Sequence, residues 1–494
     1  MFDKIKRLSG HVLVYGFGNV GNRVVGFLLI PVYSRYLAPE DYGVLALVAM
    51  LGQILYTLMN MGQGSALFRT YFRHDDPKDR EAVVATSLWL ILGLSCPIGL
   101  LALVLSKPLA SLLTGSPVYT VWVVLAIAGV TFKVLLRLPM AVLRAREQSR
   151  RYAGFSVAQT VVGLVLAIVF VVGLHLGGRG VLLSQLVAEL AVCAYLVPAT
   201  LRGVSLRFSR REAHDLLTYG LALVPAALLS FLIHLSDRYF LKYYVSVSAV
   251  GIYALGYRFG EILYFVILAF ELAYPPFLFG HLKNPEARPL FARVCTYYLA
   301  LMGIMWLCVS LLAEEIVTIM AAPAYHEAYR VIPWIAGAFL FQGIGAVWNV
   351  GMQVNRVVKY RLLMSASTAI LCLSVNFLLI PRFGMMGAAA SALTAFVYQF
   401  IVQVLIGQRL YPIPYEWGRV LRLSAVGVGI YAVGNLIGWG SIPVALLGKG
   451  LLLLSAPLLL YATGFFEAGE VTGVKALVAD FRRGRAVVRP VEGA

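Results

Sequence analysis

The sequence predicts an all-α polytopic membrane protein of about 14 transmembrane helices, arranged as two parallel six-helix repeats that form two lobes, plus two C-terminal helices. The 494 residues are 60% hydrophobic and only 13% charged, whereas a soluble domain carries roughly 25% charged residues. Apolar stretches of about 20 residues recur along the chain, and each is long enough to cross a hydrocarbon core as a helix. A short pattern also returns at a constant spacing in the second half.

The apolar stretches are bounded by clusters of charged residues, which set the approximate limits of each predicted span. The first strongly apolar stretch continues past Pro31 without a small-residue cleavage site, so we expect it to be retained as a span rather than removed as a signal peptide. Numbered in chain order, the predicted spans are 11–34, 42–66, 83–106, 117–143, 152–174, 180–200, 216–243, 248–278, 290–312, 329–354, 358–380, 385–410, 420–440 and 442–466.

Lysine and arginine residues predict the orientation, because they remain on the cytoplasmic side of short loops. With a cytoplasmic amino terminus, that side holds 29 of the 41 basic residues, and the other side holds six, among them Lys449. Both termini are therefore predicted to be cytoplasmic. A net charge of +18 would suggest nucleic acid as the partner of a soluble chain. Here most of it reflects topology, so we expect no nucleic-acid partner.

The chain repeats itself at an offset of about 208 residues. Tyr36-Leu-Ala-Pro-Glu-Asp-Tyr-Gly43-Val-Leu-Ala-Leu47 and Tyr244-Val-Ser-Val-Ser-Ala-Val-Gly251-Ile-Tyr-Ala-Leu255 share Tyr, Gly and Ala-Leu at that offset. The same offset relates Arg151-Tyr152 to Lys359-Tyr360, and an offset of 207 relates Gly177, Gly180 and Ser184 to Gly384, Gly387 and Ser391. Three matches that occur in the same order, at spacings of 207 or 208 residues, indicate an internal duplication.

The duplication predicts the domain organisation. Each repeat contains six spans, and an even number returns the chain to the side where it began, so the repeats are parallel and the substrate site is expected between them, near the membrane midplane. The predicted units are an N-terminal six-helix lobe at 1–203, a C-terminal six-helix lobe at 204–412, spans 13 and 14 at 413–466, and a cytoplasmic tail at 467–494, in which 474–489 is predicted as a basic amphipathic helix.

Motifs for cofactors and catalysis have simpler interpretations in this chain. Gly16-Phe-Gly18-Asn-Val-Gly21 fits a dinucleotide fingerprint, but that motif requires a strand–turn–helix unit, and small residues in an apolar run favour close helix packing. The five cysteines form no CxxC pair, and the seven histidines lack metal-helix spacing. The longest outer loop, 313–328, is too short for a catalytic domain. We therefore expect no cofactor, no metal, no catalytic residue and no enzymatic activity.

Ionisable residues inside apolar spans are costly and usually face a cavity or one another. Three of them have a purely structural explanation as an alternative. Arg258 and Glu261 are spaced to pair along one helix, and Arg238 lies near a span end, where its side chain could extend to the membrane surface. The candidates are Arg23 in span 1, Glu189 in span 6, Asp237 and Arg238 in span 7, and Arg258, Glu261 and Glu271 in span 8.

The sequence resembles the polysaccharide flippase (O-antigen translocase) family of the multidrug/oligosaccharidyl-lipid/polysaccharide exporter superfamily. The resemblance extends from about residue 4 to residue 466. It is carried by Leu29-Ile-Pro31 with Leu37-Ala-Pro-Glu-Asp-Tyr-Gly43 in the first hairpin, Asp237-Arg-Tyr-Phe-Leu241 in span 7, and Val250-Gly-Ile-Tyr253 at the start of span 8.

The resemblance implies a flippase that moves a polyprenyl-diphosphate-linked oligosaccharide from the cytoplasmic to the outer leaflet of a bacterial inner membrane, by alternating access around a cationic central cavity. Arg23, Arg238 and Arg258 would offer positive charge to the diphosphate, since a guanidinium donates paired hydrogen bonds to phosphate oxygens. Expected partners are this glycolipid, membrane lipids and the polysaccharide polymerase machinery.

The sequence leaves the driving force of transport and two alternative functions open. Transport could be driven by the membrane potential, or by an ion that titrates Glu189, Asp237, Glu261 or Glu271. A multidrug/cation antiporter of the same superfamily is an alternative, but it would need an anionic, aromatic cavity. A membrane glycosyl polymerase or ligase is a weaker alternative, because it would need a sizeable extracytoplasmic loop.

Overall fold

The computed structural model describes residues 26–284, 287–354, 358–467 and 470, with the side chains of 358 and 359 excepted. All regular secondary structure in these ranges is helical. Twelve of the described helices are long and apolar enough to cross a membrane. The prediction of an all-α membrane fold is therefore confirmed, while the count of 14 is not.

The first half of the described chain, up to residue 201, contains eight α-helices. The helices are α1 (Ile30–Tyr36), α2 (Pro39–Asn60), α3 (Gln63–Tyr71), α4 (Pro77–Val104), α5 (Ser106–Thr114), α6 (Thr120–Ala145), α7 (Ser149–Ile168) and α8 (Gly177–Leu201). A 3-10 turn at Pro117–Tyr119 precedes α6, and α7 continues into a π-helical turn at Val169–Gly173.

The second half contains eleven described α-helices. They are α9 (Arg210–Tyr244), α10 (Val247–Gly260), α11 (Leu263–His281), α12 (Ala287–Leu311), α13 (Ala313–Met320), α14 (Ile332–Trp348), α15 (Val350–Val354), α16 (Val358–Phe383), α17 (Met385–Leu410), α18 (Trp417–Leu436) and α19 (Ile442–Ala462). A 3-10 helix at Pro323–Val331 precedes α14.

Two predicted spans have no counterpart among the twelve membrane-length apolar helices of the described residues. Predicted span 1 lies mostly outside the described residues, as do Gly16–Gly21 and the predicted tail helix at 474–489. Predicted span 13 corresponds to α18, which is helical but is not among the twelve membrane-length apolar helices. The predicted loop at 313–328 is itself helical, since it contains α13 and most of the following 3-10 helix.

Three spans that were predicted as continuous, spans 2, 8 and 10, are broken in the structure. Span 10 is interrupted at Asn349, between α14 and α15. Span 2 is interrupted at Met61 and Gly62, which have φ angles of 39° and 69°, because the backbone of Gly220 in α9 packs against this point. A Cβ atom on Gly62 would lie 2.7 Å from the Gly220 carbonyl oxygen. Span 8 is interrupted between Gly260 and Leu263, where α10 ends and α11 begins. The prediction of one helix over 248–278 was wrong.

The two halves present the same succession of elements. In the first half a long helix is followed by short α5 and a 3-10 turn, and α6 then packs against α8. In the second half α12 is followed by short α13 and a 3-10 helix, and α14 packs against α17. This order agrees with the internal duplication. The division into lobes at 203 and 412 stays a prediction.

The helix ends define two faces of the bundle. We call one the basic face; it carries the connections at 72–76, 146–148 and 202–209 and the residues 282–284. The other, the opposite face, carries those at 37–38, 115–116, 174–176, 245–246 and 321–322. The basic face is the one that the distribution of Lys and Arg predicts to be cytoplasmic.

We predict that this orientation can be read by cysteine labelling in a variant without the native cysteines. Asp75→Cys and Arg210→Cys, both exposed on the basic face, should react with a membrane-impermeant maleimide only after the cells are opened. Val118→Cys and Glu327→Cys, both exposed on the opposite face, should react in intact cells. The reverse pattern for either pair would contradict the orientation.

Candidate functional site

The two repeats meet at the opposite face through equivalent glycines, which we call the glycine contact. A Cβ atom on Gly43 in α2 would lie 2.0 Å from the carbonyl oxygen of Val247, and one on Gly251 in α10 would lie 1.9 Å from that of Pro39. Gly43 and Gly251 are 208 residues apart, as are Pro39 and Val247. The contact is thus symmetric about the axis that relates the repeats, and only glycine permits it.

Further hydrogen bonds join the two halves at this face. The Tyr325 hydroxyl is fully buried and donates to the Leu37 carbonyl over 2.9 Å. The Ala322 amide donates to the Ser34 hydroxyl over 3.3 Å, and the Lys242 ammonium donates to the Leu112 carbonyl over 3.1 Å. Together with the glycine contact, these bonds hold the halves together on the opposite side of the bundle.

Arg258 lies between the two halves near the midplane. It is eleven residues beyond Val247 at the start of α10, which is about 16 Å along the helix at 1.5 Å per residue, or roughly half of a ~30 Å hydrocarbon core. Its side chain is exposed, and its Nη1 lies 3.4 Å from the Gly26 carbonyl oxygen of the first half. Because both halves flank it at this depth, the exposed surface faces the interior of the bundle.

The electrostatic neighbours of Arg258 among the described residues are two tyrosines and two charged groups. They are Tyr42 and Tyr33 of the first half, Glu261 at the turn after its own helix, and Arg238. Glu261 also interacts with Arg238 and His234. The spacing of Arg258 and Glu261 predicted this interaction along one segment. Arg258 keeps a cationic side chain turned toward the interior.

Arg238 is held in a buried ion pair. Its Nη1 lies 3.0 Å from Asp237 Oδ1 and donates to the His234 carbonyl over 2.9 Å. Asp237 also accepts from the Tyr253 hydroxyl over 2.5 Å, and the guanidinium carbon lies 4.6 Å from the centre of the Tyr257 ring. The side chain is buried, so it does not extend to the membrane surface. Asp237 rather than solvent balances its charge.

A large cavity lies within the second half, between α9, α11, α14, α16 and α17. Its volume is about 1160 Å³, above the roughly 300–1,000 Å³ of most small-molecule sites. The lining residues lie in the parts of these helices nearer the basic face. Aliphatic side chains form part of the lining, and amides and aromatic rings form another part, namely Phe270, Tyr274, Tyr298, Phe341, Gln342, Asn349, Gln353, Phe396, Gln399, Phe400 and Gln403.

His234 connects this cavity with the Asp237–Arg238 pair. Its Nε2 lies 3.4 Å from the amide nitrogen of Gln342, and its Nδ1 lies 2.9 Å from the carbonyl oxygen of Ser230. Ser230 and Gln342 line the cavity, and the His234 carbonyl accepts from Arg238. The cavity and the ion pair are therefore joined by one turn of α9.

The remaining predicted residues do not converge on one place. Glu189 in α8 is partly buried in the first half and interacts electrostatically with Lys133. Glu271 is exposed, lines the cavity of the second half and interacts with Arg361. Arg23 lies outside the described residues. Of the seven predicted residues, Asp237, Arg238, Arg258 and Glu261 form one electrostatically connected group.

Residues with a polar but uncharged side chain were missed by the sequence predictions. Gln399 and Gln403 are one helical turn apart in α17, which places them on one face, and both line the cavity with Gln342. A count of amide residues within apolar spans would have indicated them, because polar residues in a membrane helix are also usually functional or paired. The prediction considered ionisable residues alone.

Lys449 occupies a different place from the one predicted. It was assigned to the outer loops, but it lies inside α19 and is buried, with its ammonium 2.5 Å from Glu315 Oε1 in α13. The reason for the difference is that Glu315 supplies a partner inside the protein, so the lysine is not confined to a loop. This pair fastens α19 to α13.

We predict that the Asp237–Arg238 pair is needed for stability. Asp237→Asn should lower the free energy of unfolding by about 3–5 kcal/mol, since it leaves a buried arginine without its counter-charge. The double variant Asp237→Asn/Arg238→Met should recover most of that loss, because no unpaired charge remains. Thermal denaturation of the purified protein in detergent would measure this. Equal stability of the parent and Asp237→Asn would contradict the assignment of the pair.

Comparison with solved structures shows that the chain shares its fold with membrane transporters. The fold matches that of the lipid II flippase MurJ in an inward closed conformation, with a TM-score of 0.73 over 91% of this chain and 99% of that one, at 10% identity. It also matches an inward-facing multidrug resistance MATE family transporter of the MOP superfamily, with a TM-score of 0.63 over 82% and 95% of the two chains, at 16% identity. At these identities the similarity establishes the fold.

Sequence comparison adds a matching protein family and curated relatives to this similarity of fold. Residues 32–270 match the family described as polysaccharide biosynthesis protein. The succinoglycan biosynthesis transport protein ExoT of Rhizobium meliloti is 25% identical over 329 residues, which are 63% of this chain and 62% of that protein. The matches to curated relatives each span slightly less than two thirds of the relative. The predicted resemblance to the polysaccharide flippases of the multidrug/oligosaccharidyl-lipid/polysaccharide exporter superfamily is thereby confirmed.

Proposed function

We propose that this protein moves a polyprenyl-diphosphate-linked oligosaccharide from the cytoplasmic to the outer leaflet of a bacterial inner membrane. The observation that carries the proposal is the exposed arginine, Arg258, turned toward the interior at mid-depth between the two repeats. A cation at this depth is costly unless it has a partner or a function. An anionic diphosphate that must cross the membrane would use it during passage.

The cavity and the glycine contact suggest how passage begins. The halves are joined at the opposite face, and the large cavity lies toward the basic face. A substrate would therefore enter from the basic face, predicted to be cytoplasmic, and leave after the contacts at Gly43 and Gly251 separate. This is alternating access between two parallel repeats.

The multidrug/cation antiporter remains the second candidate, because MATE transporters share the fold. The interior of this chain favours an anionic substrate instead. Arg258 is exposed there, whereas the carboxylate of Asp237 is buried and already accepts from Arg238 and Tyr253. Glu271 is the exposed carboxylate of the cavity, and Arg361 lies near it. A free organic cation would find few unbalanced negative charges among the described residues of this interior.

We predict that the membrane potential assists transport. Each negative charge that moves outward across the full field gains ~2.3 kcal/mol per 100 mV, so a diphosphate needs no coupled ion. In proteoliposomes with an imposed potassium-diffusion potential and no proton or sodium gradient, flipping should respond to the potential. It should also persist in Glu189→Gln, Glu261→Gln and Glu271→Gln, and in Asp237→Asn/Arg238→Met. Flipping that ignores the potential and stops with one carboxylate removed would identify that residue as an ion-coupling site.

The direct genetic test is deletion of the gene. A lipid-linked oligosaccharide should then accumulate on the cytoplasmic leaflet, where an added membrane-impermeant glycosidase reaches it only in inside-out vesicles. If polysaccharide export stops but the oligosaccharide is already on the outer leaflet, the protein acts after flipping, as a polymerase or ligase would. Unchanged export and unchanged lipid pools would refute the proposal.

A further inference from the structure

The cavity of the second half combines two kinds of surface. One wall carries the aromatic rings of Phe270 and Tyr298, whose centres are 4.3 Å apart. The facing helices α14 and α17 contribute amides from Gln342, Gln399 and Gln403. A sugar ring presents apolar C–H faces and polar hydroxyl edges, so aromatic rings and amides match its two surfaces.

Several polar atoms of this cavity are buried without a hydrogen-bond partner. They are Oε1 of Gln342, Oδ1 of Asn349 and the hydroxyls of Tyr274 and Tyr298. Leaving such a group unpaired costs about 1–3 kcal/mol, and buried polar atoms are usually satisfied. Four on the wall of one cavity indicate that a polar ligand completes their bonding.

The charge of the cavity argues for an uncharged part of a ligand. Glu271 and Arg361 are the charged side chains among the lining residues, and they interact with each other. Among the described lining residues the one cation, Arg361, has Glu271 as its partner, so an anionic diphosphate would gain little from them. An alkyl chain would also fit poorly, since it would leave the unpaired atoms of Gln342 and Asn349 unsatisfied. Hydroxyl groups act as both donors and acceptors and suit these amides.

We propose that this cavity is a subsite for the hydroxyl-rich sugar portion of the substrate, distinct from the diphosphate position at Arg258. This inference rests on the proposed flippase function. Gln342 is the central residue, because it lines the cavity and also contacts His234, whose carbonyl accepts from Arg238. Sugars that bind the amides would thus lie one helical turn of α9 from the arginine group.

The test compares two probes on the purified protein in lipid nanodiscs. One is farnesyl diphosphate, which carries no sugar, and the other is the lipid-linked oligosaccharide extracted from host cells that lack the gene. Gln342→Met/Gln399→Met removes two amides while keeping the side-chain length. Its affinity for the glycolipid should fall about 10-fold or more, since each lost hydrogen bond contributes roughly threefold to tenfold. Its affinity for farnesyl diphosphate should stay within about twofold.

Two controls separate a binding role from a structural one. Gln185→Met replaces an exposed glutamine of α8 in the first half and should bind both probes as the parent does. Arg258→Ala should lose affinity for both probes. The double methionine variant should melt close to the melting temperature of the ligand-free parent, because it removes the unpaired Oε1 of Gln342 but also the contact of the Gln342 amide nitrogen with His234.

Each outcome decides between the two proposals. If the parent binds neither probe, the flippase function fails. If the parent binds the glycolipid and Gln342→Met/Gln399→Met binds it equally well, the flippase function stands and the sugar subsite is overturned. A double variant that loses both probes, or that melts well below the parent, would show that the amides support the fold, and this too overturns the subsite.

Discussion

Arg258→Ala is expected to abolish polysaccharide export while leaving the protein in the membrane. The guanidinium faces the interior at mid-depth, and among the described residues its Nη1 lies 3.4 Å from the backbone oxygen of Gly26. Its removal costs this one described hydrogen bond, but it takes away a fixed charge that would replace the water lost by a diphosphate. Charge-assisted hydrogen bonds contribute about 1.5–3 kcal/mol each, so two of them predict a loss of at least 100-fold in transport rate.

The conservative variant and a matched control sharpen this test. Arg258→Lys keeps the charge but loses the paired hydrogen bonds of a guanidinium, so it should retain partial export. Arg382→Ala removes an exposed arginine at the end of α16 on the opposite face and should export normally. The measurement is complementation of a deletion strain, with immunoblots of membranes for protein amount. Normal export by Arg258→Ala would exclude a role for this residue in substrate passage.

Gly251→Ala is expected to prevent the two repeats from closing at the opposite face. The added methyl would lie 1.9 Å from the Pro39 carbonyl oxygen, and Gly43→Ala would meet the Val247 carbonyl oxygen at 2.0 Å. Contacts below 3.0 Å to backbone cannot be relieved by a rotamer change, so the two helices must separate. Transport requires both open and closed states, and export should therefore fall at least 10-fold in either variant.

Accessibility distinguishes a failed closure from a failed fold. In a background without native cysteines, Ser230→Cys lies on the cavity wall and should be labelled from the basic face in the parent. With Gly251→Ala present, labelling from the opposite face should increase. Gly303→Ala is the matched control, because no atom lies within 4 Å of its added methyl group. Unchanged labelling and export in Gly251→Ala would contradict the role given to the glycine contact.

Hydropathy and charge were sufficient to predict most of the membrane fold. Long apolar stretches can satisfy their backbone only as helices in lipid, so helices such as α4, α8 and α17 lie close to the predicted limits. Hydropathy and charge do not predict where a helix breaks within a span. The interruption at Met61 and Gly62 depends on the distant backbone of Gly220, and hydropathy within a window carries no information about that contact.

The candidate site was predicted only in part, for a similar reason. Arg258 was selected because a charge inside an apolar span stands out in the sequence. Asp237 and Arg238 were also selected, but their mutual pairing and the hydrogen bond from Tyr253 depend on the packing of α9 against α10. The amides of Gln342 and Gln399 come from helices that are distant in sequence, so only the folded chain brings them onto one cavity.

The central claim is that the protein itself carries a diphosphate-linked glycan across the bilayer past Arg258. It is tested most directly in proteoliposomes containing the lipid-linked oligosaccharide extracted from host cells, with membrane-impermeant periodate as a probe of outer-leaflet sugars. The parent protein should make nearly the whole glycolipid pool accessible to oxidation, whereas protein-free vesicles and vesicles with Arg258→Ala should expose only the outer-leaflet fraction. If the parent exposes no more glycolipid than protein-free vesicles, the account is wrong.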